Sequence, residues 1–169
     1  LVGSEMCIRD RISVHEHFKR DKGICLYHIT GNLEYDKIVR ELGLTDGKSF
    51  GKGSRIIKYE YDMPAVLAAA DLIICRAGAV SLAELAAREL PSILIPYPYA
   101  SGDHQTFNAR VFVKAEAAKM IADKYVTEKE LIQDINDFRH QPETLERMSE
   151  ATKKIKKIYA GADIALSLI

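Results

Sequence analysis

DLIICRAGAVSLAELAARELPSILIPYPYASGDHQTFN, residues 71–108, is the stretch whose reading decides the fold. Leu72, Ile73, Ile74 and Cys75 form an apolar run of strand length. Arg76-Ala77-Gly78-Ala79 follows, small enough to turn sharply, and 80–89 then carries Val80, Leu82, Leu85 and Ala86 at helical spacing. Residues 92–95 are a second apolar run, ended by Pro96. Two buried parallel strands joined by a helix produce this pattern, and such sheets bind ligands beyond the carboxyl ends of their strands. Both loops after the strands carry polar residues that a plain connector does not need.

Working upstream, 54–61 reads as a strand, followed by Asp62 as an N-cap and Pro64 in the first turn of a short helix through Ala70. Residues 45–53 are polar and glycine-rich, a surface loop. Residues 35–42 place Ile38, Val39 and Leu42 on one helical face with Gly43 as the stop, and 24–29 reads as a strand closed by the turn cluster Thr30-Gly31-Asn32. Residues 12–22 are the end of a helix. Residues 1–11, LVGSEMCIRDR, have no clear period and read as a leader foreign to the rest, which places the domain at 12–169. Downstream, 105–115 is helical and 117–121 a small edge strand. Thr127-Glu128-Lys129-Glu130 fits a capping box for a helix to Phe138. Pro142 opens a further helix to about Tyr159, which Gly161 is expected to break, leaving 162–169 as an apolar tail helix. Strands alternating with helices imply a parallel sheet covered on both faces, a Rossmann-like α/β domain.

The 169 residues suffice for one well-packed domain. A formal net charge of zero argues against nucleic acid, or an anionic membrane, held by bulk charge. Cys7, Cys25 and Cys75 are odd in number and lack motif spacing; Cys25 and Cys75 lie in apolar runs and are expected to be buried, reduced thiols. No apolar run approaches a membrane span and no secretory signal is visible, so a cytoplasmic location is expected. No DxD pair, HExxH, paired cysteines or GxSxG elbow occurs, and no full GxGxxG follows a strand. No obligatory metal and no cofactor are therefore expected, and a dinucleotide reading is weakened. Lys153, Lys154, Lys156 and Lys157 read as a solvated helix face, ahead of a contact with anionic lipid headgroups.

Three features carry chemistry. The loop 76–79 leads into a helix N-terminus, where unpaired N–H groups and partial positive charge suit a phosphate. A tight turn that needs glycine for its backbone angle explains the same residues, and spacing alone does not separate the two. Glu84, one turn on among small and apolar neighbours, suits a ribose diol; an exposed helix charge is the plainer reading. In the second loop, His104, Gln105 and Asn108 bring donors and acceptors to one helix start, which suits sugar hydroxyls. The alternative has Asp103 as N-cap and the others as a solvated first turn. His104 lacks a nucleophile or carboxylate at diagnostic spacing, so binding is preferred to general-base work.

Taken together, ADLIICRAGAVSLAELAARELPSILIPYPYASGDHQTFNAR resembles the signature of the bacterial MurG family, the UDP-N-acetylglucosamine–lipid I N-acetylglucosaminyltransferases of peptidoglycan synthesis. The likeness extends through HITG (28–31), YEYDMPAVLAAAD and FVKAEAAKMI and covers about 140 residues. It implies one half of a GT-B fold, the C-terminal, donor-binding Rossmann-like domain. By resemblance, the backbone of Glu60 holds the uracil ring, with Tyr59 and Met63 as walls. Arg76, Gly78, Ala79, Val80, Ser81, Leu82, Ala83 and Glu84 line the nucleotide, with Glu84 on the ribose. His104 and Gln105 face the N-acetylglucosamine hydroxyls and Asn108 assists. Arg76 and the Gly78–Ala79 amides are the candidates for stabilising the departing diphosphate.

The resemblance further implies an inverting transfer from UDP-N-acetylglucosamine to lipid I, forming lipid II at the inner face of the plasma membrane, where the full-length family is peripheral. The family's glycine-rich GGS loop would fall where the leader stands. The family's N-terminal domain, with the lipid-linked acceptor site and candidate catalytic base, is expected from outside this sequence or from a partner subunit. Without it the chain is expected to be inactive. Two alternatives stand beside this reading: the subunit of a naturally split UDP-N-acetylglucosamine transferase, and a non-catalytic UDP-sugar-binding module.

Overall fold

The computed structural model describes residues 8–44 and 54–166, with side chains at 10–44 and 54–156. In chain order the elements are α1 (Ile8–Phe18), β1 (Tyr27–Ile29), α2 (Tyr35–Glu41), β2 (Arg55–Ile57), α3 (Met63–Ala68), β3 (Ile73–Cys75), α4 (Ala79–Arg88), β4 (Ser92–Leu94), α5 (His104–Lys114), β5 (Ala118–Met120), α6 (Glu128–His140) and α7 (Pro142–Leu166). Each strand pair is parallel. β1 lies on β2, and β4 lies between β3 and β5, with Cys75 opposite Leu94 and Leu94 opposite Met120. Parallel neighbours require crossovers, which the intervening helices supply.

The period of two along the strands divides the core between the two faces. Ile73, Cys75 and Leu94 pack with Leu82, Leu85, Phe112 and Ile155, from α4, α5 and α7. Ile74, Ile93 and Ile95 pack with Val14 and Phe18 of α1 and Leu131 and Ile135 of α6. A smaller cluster of Ile38, Leu42 and Ile56 joins α2 to β2. Full burial of each such large side chain stabilises the fold by roughly 1.5–3 kcal/mol. The expected α/β domain with helices on both faces is what forms. Local signals also act as read: Asp62 accepts from the Ala65 amide at 3.2 Å, and Thr127 from the Glu130 amide at 3.2 Å.

Three details differ from expectation. α7 runs through Gly161 to Leu166. One glycine costs a helix about 1 kcal/mol but keeps its N–H, so it weakens a helix without ending it as proline would. Cys75 is buried, and burial pushes its thiol up to about 12. Cys25 is exposed, because β1 begins two residues later and leaves it in the approach to the strand. Finally, α1 starts at Ile8, ahead of residue 12, and the Arg11 guanidinium is buried in an ion pair with Glu34. Residues 1–7 with Cys7, the loop 45–53 and residues 167–169 lie outside the described residues.

α1 is also joined to β1 by a polar contact. His15 Nε2 and His28 Nδ1 are 2.9 Å apart, their rings stacked with centroids 5.0 Å apart and both side chains fully buried. One of these two nitrogens carries the shared proton. Burial, with the Arg11 charge adding to it, lowers His15 from 6.5 to about 4 and holds His28 well below its ordinary value. Below pH 6.5 the unfolded chain therefore takes up protons that the folded imidazoles refuse. Stability is complete above that pH and falls by up to ~1.4 kcal/mol per pH unit for each such site as the pH drops. Thermal unfolding followed from pH 7 toward pH 4 should show this decline (about 6.5 to about 4 for His15), and His15→Gln should flatten it. Equal slopes in variant and parent would refute the assignment.

Candidate functional site

The polar residues singled out in the sequence lie mostly where β3 and β4 end. Past Cys75 the chain turns through Arg76, the fully buried Ala77 and Gly78 into α4. Gly78 has φ −68° and ψ 145°, angles open to any residue, and a Cβ there would meet nothing closer than Ser81 Oγ at 3.9 Å. The turn does not need glycine for its own geometry. What glycine leaves is uncovered backbone at the start of a ten-residue helix. Gly78 supplies no side-chain cap, and the helical bonding starts with the Leu82 amide on the Gly78 carbonyl at 3.0 Å. The Ala79, Val80 and Ser81 amides are thus the orphan donors of the first turn, at the positive end of the helix dipole. Ala79, Val80, Ala83 and Glu84 are exposed and Ser81 half-buried, whereas the Leu82 side chain belongs to the core.

At the second loop, hydrogen-bond chemistry decides how each polar side chain is presented. The Tyr97 amide lies 3.0 Å from Gln105 Oε1. An N–H only donates, so the oxygen faces the loop and the Gln105 NH2 group remains a donor. His104 Nδ1 lies 2.6 Å from the Ser101 carbonyl, which only accepts. The proton therefore sits on Nδ1, and in the neutral ring Nε2 is an acceptor. Gly102 and Asp103 both have left-handed backbones, φ 60° and 53°. Asp103 does not act as a side-chain N-cap. Its carboxylate accepts from Thr106 Oγ1 at 2.6 Å, because a left-handed residue lacks the extended backbone from which a cap reaches the next amides.

Side chains tie the loops together. Asn108 Nδ2 donates to the Ala77 carbonyl at 3.3 Å, from α5 to the first loop. Arg76 Nη1 donates to Asp123 Oδ1 at 2.6 Å and to the Ile95 and Pro96 carbonyls at 3.2 Å each. The Arg76 guanidinium lies 5.6 Å from the centre of the Tyr97 ring. Asp123 follows β5 and escaped the sequence reading. Nothing around it marks it; only the placement of β5 beside β4 brings it here.

Glu60 follows β2. Its carboxylate accepts from the Tyr27 hydroxyl and, at 2.8 Å, from the Asp62 amide. The Tyr27 bond holds Glu60 below the usual carboxylate range, while burial and then Glu60 push Tyr27 up to about 12. The side chain is committed to the protein, so any contact made by Glu60 is a backbone one. Tyr59 is exposed and packs edge-on against Tyr61, whereas Met63 packs partly into the core. Every strand-end loop carries an exposed large apolar side chain: Leu33 after β1, Tyr61 after β2, Val80 after β3, Tyr99 after β4 and Tyr125 after β5. Among the described residues no three His, Cys, Asp or Glu side chains converge on a metal-sized site, and no helix is long and apolar enough to cross a membrane.

The open space at Gly78 gives a direct check. Gly78→Ala loses a little capping and gains a little chain stiffness, so stability should change by less than about 1 kcal/mol. A drop in the thermal midpoint of more than about 5 °C would show that glycine is required by the fold itself.

The chain matches the glycosyltransferase family 28 C-terminal domain over residues 3–163. It is 40% identical over 146 residues to the UDP-N-acetylglucosamine–N-acetylmuramyl-(pentapeptide) pyrophosphoryl-undecaprenol N-acetylglucosamine transferase of Thermoanaerobacter sp. (strain X514), covering 86% of this chain and 40% of that protein. It is 44% identical over 135 residues to the protein of the same name from Syntrophus aciditrophicus (strain SB), covering 76% and 37%. The chain thus spans about 40% of the length of these relatives. The crystal structure of Acinetobacter baumannii MurG shares the fold, with a TM-score of 0.68 at 22% identity over 89% of this chain and 45% of that one. The glycotransferase of kitacinnamycin does so with a TM-score of 0.62 at 17% identity, over 90% and 38%. With that match across nearly all of its length, on a parallel sheet whose site loops lie where residues 71–108 put them, the chain belongs to the glycosyltransferase family 28 C-terminal domains.

Proposed function

We propose that this chain is the donor-binding half of an N-acetylglucosaminyltransferase, taking UDP-N-acetylglucosamine and serving transfer to the lipid-linked N-acetylmuramyl-pentapeptide acceptor of cell-wall synthesis. One observation carries the reading. An uncovered helix N-terminus at Gly78 is bound through Asn108 and Ala77 to a second helix start that presents an acceptor, His104 Nε2, and a donor, the Gln105 amide. The first suits an anion and the second suits hydroxyls. A sugar nucleotide carries both groups in one molecule.

In this reading the Ala79, Val80 and Ser81 amides receive the diphosphate and Glu84 accepts from the ribose diol. The backbone of Glu60 meets the uracil edge, with Tyr59 as a wall. The muramoyl 4-hydroxyl attacks the anomeric carbon with inversion, the bond to UDP breaks, and the hydroxyl proton passes to a base outside this chain. The helix N-terminus stabilises the charge that grows on the departing UDP. The acceptor and the base belong to the opposite half of a cleft, supplied by an N-terminal domain or a partner subunit. The apolar residues on the five strand-end loops offer a surface for that half to cover. The setting is the cytoplasmic face of the plasma membrane, where a lipid-linked acceptor is reached by a peripheral protein.

Calorimetric titration should give saturable heat with UDP-N-acetylglucosamine and weaker binding of UDP-glucose. Glu84→Ala should weaken binding by about tenfold or more, the cost of a hydrogen bond to a charged group, with an unchanged thermal midpoint. A parent protein that produces no heat with either nucleotide sugar rules the donor site out.

A further inference from the structure

We propose that Asp123 is a positioning residue of the donor site, acting through Arg76 to hold the loop that presents His104 and Gln105. The proposal rests on the sugar-nucleotide reading only for which ligand feels it.

Arg76 is 16% exposed, and its Nη1 holds three oxygens from two other strand ends: Asp123 Oδ1, Ile95 O and Pro96 O. Its Nη2 is buried with no hydrogen-bond partner in the structure. Leaving a charged donor unmatched costs free energy, and Asp123 is the one ion-pair partner of Arg76 among the described residues. The carboxylate therefore keeps the guanidinium against the second loop.

The loop then closes on itself. Pro96 is held by Arg76, the next residue, Tyr97, gives its amide to Gln105, and Asn108, one helical turn on, returns to Ala77 beside Arg76. Arg76, Pro96, Tyr97, Gln105, Asn108 and Ala77 form a ring of side-chain and backbone bonds. Asp123 is its anchor from β5. Displacing Arg76 frees two carbonyls of the loop and releases the Tyr97 amide that orients Gln105. The sugar end of the site should suffer, and the Gly78 end should not, because its amides belong to α4.

The test uses the full chain as parent, Asp123→Asn and Asp123→Glu. Amide hydrogen exchange at Tyr97 should rise at least tenfold in Asp123→Asn, with core Ile93 unchanged and Asp123→Glu restoring most of the protection. This readout needs no ligand, so it judges the positioning role even if the parent binds no nucleotide. In titrations, Asp123→Asn should lose at least fivefold in affinity for UDP-N-acetylglucosamine and less than twofold for UDP. Unchanged exchange at Tyr97 overturns the proposal. So does an equal loss for both ligands, or tighter UDP binding, which would mean that Asp123 restrains an Arg76 that otherwise serves the diphosphate. Equal protection at Ile93 in all three proteins separates loop release from general unfolding.

Discussion

The parallel pairing of β3 with β4 is the constraint on which the rest depends. Two parallel neighbours end on the same side of the sheet, so the loops that follow them must lie together. Each then enters a helix, which places the start of α4 beside the start of α5. Burial on both faces holds the pairing in place: Ile73 and Cys75 face one cluster, Ile74 the other. A slip of one residue would move each set into the wrong layer. The register of three residues per strand thus carries the geometry of the site.

Within that frame the polar ties between loops contribute little stability each, about 1 kcal/mol for a neutral hydrogen bond. Their effect is on geometry. The Tyr97 amide chooses which end of Gln105 faces outward, and the Ser101 carbonyl chooses which nitrogen of His104 carries the proton. The same residue types with other partners would present the opposite chemistry. The core supplies the free energy of folding, and a small number of bonds from backbone to side chain sets what the surface offers a ligand.

Much of this was legible in the residues. The strand pair, the helix between it, the Asp62 and Thr127 caps and both site loops follow from period and from residues with particular capping chemistry, which act over one or two turns. The errors have local causes too. Gly161 looked like a break because propensity was read as a stop, and Cys25 looked buried because an apolar run was taken as wholly strand. Asp103 has the residue type of a cap, but Gly102 and Asp103 take left-handed angles that no residue list announces.

What the sequence determined by itself was therefore the order of elements, the parallel α/β architecture and the two loops that matter, because hydrophobic period and capping are short-range and written in neighbouring residues. Tertiary structure alone decided three things. Gly78 is not required by its own turn, since that depends on what surrounds a Cβ. Arg76 lies against the second loop, since that depends on Asp123, 47 positions away. His15 and His28 share a buried bond, since that depends on α1 lying against β1. Each is a contact between residues that no local pattern links, and only packing of the whole chain brings them together.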